Sequence, residues 1–260
     1  MKYLLPFVVV LLVSGCSQKK EETSTTTTTS SIPSITYNVV NSFPHDTNAF
    51  TEGLLIHKGQ LYESTGEKES WIGLVDIKTG ATTKKVQIDP KYFGEGMAIL
   101  NNKVYYLTWK HKTGFVYDFK TFKEIGQFQY DTEGWGMTTD NKNLIMSDGT
   151  DKLYFLDTVS LKPVKTLAVT KDGQPLKGIN ELEYVNGSIF ANVWQTSTVV
   201  RIDMNTGAVN GILDLSPLTT QARQLKPEVD VLNGIAWHNE TKLMLVTGKY
   251  WNYIYVLKLK

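Results

Sequence analysis

Two glutamates stand directly before a glycine in matching surroundings, Thr51-Glu52-Gly53-Leu54 and Gly94-Glu95-Gly96-Met97. Paired carboxylates are the usual instruments of general acid–base chemistry, and at suitable separation of glycoside hydrolysis. Three more segments align with these two: Gly134-Trp135-Gly136-Met137, Ile179-Asn180-Glu181-Leu182 and Leu232-Asn233-Gly234-Ile235. The slot therefore reads Glu52, Glu95, Trp135, Asn180 and Asn233: two carboxylates, an indole and two amides. Equivalent positions that serve only a fold have no need of such diversity, whereas a site does. A second set of aligned positions reads Gly66, Trp109, Gly149, Trp194 and Gly248, with Lys249, Tyr250 and Trp251 following the last. Phe50 and Phe93 each lie two residues before their glutamate. The expectation is a small aromatic-walled pocket holding acids, amides and one ammonium group.

The elements that must position these residues repeat themselves. Each aligned block is followed by a second apolar run, such as Val104–Leu107 or Leu243–Val246, and then by a third, such as Phe115–Asp118 or Val199–Asp203. Turn residues separate the runs, as in His57-Lys58-Gly59 and Val185-Asn186-Gly187, which is the pattern of hairpins. A fourth run closes each of the first four repeats, for example Thr82–Ile88 and Glu124–Tyr130. A four-stranded meander of roughly 45 residues is the period of a propeller blade. The fifth repeat ends one strand short, and Ile35–Phe43 is a spare strand whose pairing there would remove an exposed edge. The prediction is an all-β, five-bladed β-propeller over 35–260, closed by its N-terminal strand, with a short helical insertion over Leu215–Leu225. The aspartates that end third strands (Asp76, Asp118, Asp157, Asp203) recur too regularly for catalysis and read as turn residues.

Composition limits the partners. Twenty-seven basic and 26 acidic residues leave a net charge of +1, which offers no phosphate-tracking surface and points away from nucleic acid. One cysteine and four histidines (His45, His57, His111, His238), without ligand spacing, point away from a metal or other cofactor. Lys2 and the apolar run Tyr3–Val13 read as a signal peptide over 1–15, too short to span a bilayer. Val13-Ser14-Gly15-Cys16 has the form of a lipobox, with Cys16 as the lipidated first residue of the mature chain. Residues 16–34 then form a Ser/Thr-rich flexible tether, so a monomer anchored to a membrane of the bacterial cell envelope, periplasmic or surface-facing, is expected.

Taken in order, Phe43-Pro44-His45-Asp46, Ala49–Leu54, Phe93–Gly96, Leu107-Thr108-Trp109, Glu133–Met137, Ile179–Tyr184, Asn192-Val193-Trp194, Leu232–Ala236 and Thr247-Gly248-Lys249 resemble the plant-type glutaminyl-peptide cyclotransferases, which also occur in bacteria. The resemblance spans 43–251 and implies a five-bladed propeller that cyclises N-terminal glutamine to pyroglutamate, releasing ammonia without a metal. It places the acid/base role on Glu95. Phe50, Glu52, Phe93, Trp109, Trp135, Asn180, Trp194 and Lys249 fall on pocket positions, with Asn180 and Lys249 as candidates for stabilising an oxyanion. The chain departs from the pattern at Glu52, where glutamine is commoner, and at Glu133, where some relatives carry an aromatic residue. Two other readings compete: an envelope glycosidase using Glu52 and Glu95, and a propeller that binds a ligand without catalysis.

Overall fold

Short alternating runs broken by turns fold, in this computed structural model, into five antiparallel sheets of four strands each. The structure describes residues 1–3 and 32–260. The expected signal peptide, Cys16 and the tether therefore lie almost wholly outside the described residues. Blade one comprises Thr51–His57, Gln60–Thr65, Trp71–Val75 and Thr82–Gln87. Blade two comprises Gly94–Leu100, Lys103–Thr108, Thr113–Asp118 and Glu124–Gln129. Blade three comprises Met137–Thr139, Leu144–Ser147, Lys152–Leu156 and Pro163–Ala168. Blade four comprises Ile179–Val185, Ser188–Val193, Thr198–Asp203 and Val209–Asp214. Blade five takes Leu232–His238, Leu243–Gly248 and Tyr253–Leu259 from the end of the chain and Tyr37–Pro44 from near its start.

Burial falls from the first strand of a blade to the last. Every residue of Gly94–Leu100 is buried, whereas Thr82–Gln87 is half-buried or exposed throughout. Apolar side chains pack between neighbouring blades: Tyr62 and Ile72 of blade one meet Met97, Tyr106 and Phe115 of blade two. Leu54 and Leu61 of blade one likewise meet Ala236, Leu245 and Ile254 of blade five. Each such side chain contributes about 1.5–3 kcal/mol on burial, so the ring of seams carries the stability.

The ring closes as the spare strand requires. Tyr37–Pro44 runs antiparallel to Tyr253–Leu259, from Tyr37 opposite Leu259 to Pro44 opposite Tyr253, with a bulge between Val39 and Asn41. Hydrogen bonds from Ile35 N to Ile212 O (2.7 Å) and from Ile212 N to Pro33 O (3.0 Å) tie the start of the propeller, and Pro33 just ahead of it, to blade four. The four aspartates sit in turns: Asp118 Oδ1, for example, accepts from Thr121 N at 2.8 Å, and Asp203 Oδ1 from Thr206 N at 2.9 Å. The expected insertion is an α-helix over Ser216–Leu225 that buries Leu218, Thr219 and Ala222. It ends at Lys226, whose extended backbone suits the proline that follows.

Candidate active site

A regular strand would point successive side chains to opposite faces, so the ring residues need a local irregularity to face the axis. In four blades the first strand slips register at the ring: between Thr51 and Gly53, Gly94 and Met97, Ile179 and Leu182, and Leu232 and Ile235. Bulges re-aim side chains in this way. Glu52, Glu95, Asn180 and Asn233 sit within them. In blade three the first strand begins only at Met137, which leaves Trp135 ahead of it. Neighbouring blades then hold these positions by their backbones. Ser64 Oγ donates to Glu95 O at 2.8 Å, Gly96 N to Trp135 O at 2.7 Å and Ser147 Oγ to Asn180 O at 2.7 Å. The strands approach so closely that a Cβ on Gly136 would lie 2.1 Å from the carbonyl oxygen of Asn180.

The result is a cavity of about 250 Å³ lined by Phe50, Glu52, Phe93, Glu95, Trp109, Trp135, Asn180, Trp194, Asp230 and Lys249. All nine pocket residues expected from the sequence are brought together here. Its wall explains the second aligned set. A Cβ on Gly66 would meet the Phe93 ring at 2.3 Å, and a Cβ on Gly149 would meet the Trp135 indole at 2.6 Å. Glycine in this set thus marks a place already filled by an aromatic ring, and Trp109 and Trp194 supply the ring themselves. A larger cavity of about 500 Å³ at the seam of blades one and five is lined mainly by aliphatic side chains and brings no two carboxylates together.

The charges inside are arranged unequally. Lys249 Nζ lies 2.7 Å from Glu52 Oε1, with both side chains buried, and 4.2 Å from the centre of the Phe50 ring. Asn233 Nδ2 donates to the other oxygen of Glu52 at 3.0 Å. Burial pushes the Glu52 carboxyl up to about 7, against the pull of Lys249. Glu95 is buried too, and its carboxyl has no hydrogen-bond partner among the described residues. Burial holds its proton affinity well above the ordinary carboxylate range; the charge of Glu52 adds to this, Lys249 opposes it, and Glu133 adds a little more. Burial outweighs Lys249 at Glu95, and the ammonium group itself lies against Glu52. Asn180 is buried with its Oδ1 unpartnered, and its Nδ2 makes no hydrogen bond among the described residues, so the donors of its amide are unspent.

One lining residue, Asp230, and the contacts made by Glu133 are not marked by the repeat pattern. Asp230 belongs to the stretch after the helical insertion, outside the repeat, so no symmetry marks it. Glu133 does not line the cavity, yet its Oε2 accepts from the indole N–H of Trp109 at 2.6 Å and of Trp135 at 3.0 Å. Among the described residues no three His, Cys, Asp or Glu side chains are placed to hold a metal ion. His45, for instance, is turned inward between Trp251 O (2.9 Å) and Glu63 Oε1 (3.0 Å).

Fold and cavity together define a five-bladed β-propeller with two buried carboxyls in an aromatic-walled cavity at one mouth of the axis. The glutamine cyclotransferase family matches residues 7–259. A glutaminyl-peptide cyclotransferase of Arabidopsis thaliana is 39% identical over 226 residues, which is 85% of this chain and 71% of that one. The crystal structure of Myxococcus xanthus glutaminyl cyclase superposes with a TM-score of 0.82 at 34% identity, covering 88% of this chain and 98% of that one. The chain belongs to the glutamine cyclotransferase family.

Proposed function

We propose that the cavity converts the N-terminal glutamine of peptides and proteins to pyroglutamate, with release of ammonia, without a metal and with Glu95 as the acid/base group. The observation that carries this reading is the buried, unpaired Glu95 carboxyl inside an aromatic hollow sized for one side chain. The reaction is intramolecular: the α-amine attacks its own side-chain amide carbon, a five-membered ring closes and the amide C–N bond breaks. Folding the substrate against the rings of Phe93, Trp109 and Trp135 supplies orientation, the largest help an intramolecular reaction can receive.

The proton movements balance on one group. An α-amine titrates near ~7.7–8.0, so its neutral form is available at physiological pH. Glu95 enters protonated because burial keeps it so. It gives that proton to the departing amide nitrogen, which leaves as ammonia, and takes one from the ring nitrogen, ending as it began. The oxyanion formed meanwhile meets the unspent amide of Asn180 and the N–H groups of Lys249 not used on Glu52. The membrane-anchored location through Cys16 is part of the same proposal; its test is loss of lipid labelling and membrane retention in Cys16→Ser.

The experiment is a mass-spectrometric time course on a synthetic peptide beginning with glutamine, in the presence and absence of a chelator. A loss of about 17 Da together with free ammonia, unaffected by the chelator, is expected. No mass change, or activity abolished by the chelator, refutes the reading.

A further inference from the structure

The aromatic wall is an arc of rings in edge or tilted contact. Tyr250 meets Phe50 (centroids 5.2 Å), Phe50 meets Phe93 (5.9 Å) and Phe93 meets Trp109 (5.6 Å). On the other side Trp135 meets Trp194 at 5.5 Å. The arc is interrupted between Trp109 of blade two and Trp135 of blade three, and Glu133 spans the interruption. A single oxygen, Oε2, receives both indole N–H groups, at 2.6 Å and 3.0 Å. An indole has one donor and no acceptor, so each tryptophan spends its whole polar capacity on this oxygen. Hydrogen bonds to a charged acceptor are roughly twice as strong as neutral ones. Turning either ring would break such a bond, and Glu133 is half-buried, where water replaces it poorly.

We propose that Glu133 is a positioning residue for cyclisation: it clamps the indoles of two blades into one continuous wall, against which the substrate side chain folds toward its own amine. The inference rests on the cyclisation reading above. Glu133 does not line the cavity and is not assigned to touch the reacting atoms. Its charge also acts on Glu95, beside those of Glu52 and Lys249.

The test compares Glu133→Gln with Glu133→Ala. Glutamine keeps a side-chain oxygen for both indoles but loses the charge; alanine loses both. In ¹⁵N-tryptophan-labelled protein, the two indole N–H resonances that report hydrogen bonding should persist in Glu133→Gln and shift in Glu133→Ala, whatever the enzyme's activity. With a Gln-peptide, Glu133→Ala should lose about 100-fold in kcat/KM, the scale of a misplacement near 1 Å. Glu133→Gln should recover to within about tenfold, and the alkaline limb of its kcat/KM profile should move to lower pH as Glu95 loses a like-charged neighbour. Glu133→Ala with wild-type kcat/KM would overturn the proposal, as would equal impairment of both variants while Glu133→Gln retains its indole bonds. If Glu133→Ala does not fold, loss of the two hydrogen-bonded indole resonances in Glu133→Gln with wild-type kcat/KM overturns it. A wild-type protein inactive on Gln-peptides refutes the cyclisation reading instead, and the resonances still report on the clamp.

Discussion

Lys249 and Glu52, 197 residues apart, meet across the seam that closes the propeller, with Nζ 2.7 Å from Oε1. Asn233, on the blade that carries Lys249, completes the grip by donating to Oε2 at 3.0 Å. The contact therefore joins the two ends of the ring at the cavity itself, and it decides which of the two glutamates remains free. Glu52 is spoken for; Glu95 is not.

Breaking a buried pair from one side leaves a charge without compensation. Lys249→Met and Glu52→Gln should each destabilise the protein by about 3 kcal/mol. The double variant should lose clearly less than the sum, because the two residues are one interaction. Urea denaturation of the four proteins measures this, and strictly additive losses would show that the pair contributes nothing as a pair.

Glu95→Gln should abolish turnover of Gln-peptides and leave the melting temperature unchanged or higher, since it removes a group that resists ionising where it sits. On the proposed mechanism the proton on Glu95 is required, so its loss should set the alkaline limb of kcat/KM, while protonation of the substrate amine should set the acid limb. The charge of Glu52 raises the proton affinity of Glu95. Glu52→Gln should therefore move the alkaline limb to lower pH and leave the acid limb where it was. A pH–rate series on both proteins reads the shift, and a limb that stays fixed or moves upward contradicts the assignment.

Much of this was legible because a propeller writes the same instruction five times. Turn aspartates act within three residues of themselves, as Asp118 does on Thr121 N at 2.8 Å, so sequence displays them directly. The ring positions were visible as the places where the repeats agree in frame and differ in chemistry. Contacts between repeats were not visible. The pairing of Lys249 with Glu52 and the double indole contact of Glu133 each join different blades, and no periodicity encodes which side chain reaches across. Asp230 was hidden for the opposite reason, since it lies in an insertion that has no counterpart in the other blades.

The second aligned set yields a steric prediction. Gly149 has φ +77°, and a Cβ there would fall 2.6 Å from the Trp135 indole, which is part of the cavity wall. Gly149→Ala must strain its backbone and push the indole into the pocket. A loss of about 1–3 kcal/mol in stability is expected, with KM for a Gln-peptide raised more than kcat is lowered. Gly126, where a Cβ meets nothing within 4 Å, is the control: Gly126→Ala should leave both constants unchanged. Equal kinetics in the two variants would mean that the wall tolerates displacement.

At the other end of the axis, Glu183 of blade four accepts the backbone N–H of Trp237 in blade five at 2.7 Å. Although the residue as a whole is only half-buried, the loss of water around its carboxyl pushes it up to about 8, against the pull of the hydrogen bonds it receives. The folded chain thus holds this proton to higher pH than the unfolded chain, whose carboxyl releases it near ~4.3. Between those two values the native state binds more protons than the unfolded one, so stability must fall as pH rises. Glutamine keeps the oxygen that Trp237 needs and has no proton to lose. Glu183→Gln should match the wild type in melting temperature near pH 4.5 and exceed it increasingly up to pH 8, where the difference levels off. A melting-temperature series across that range would contradict this account if the variant fell below the wild type at pH 8, because the carboxylate would then be stabilising the axis in its charged form.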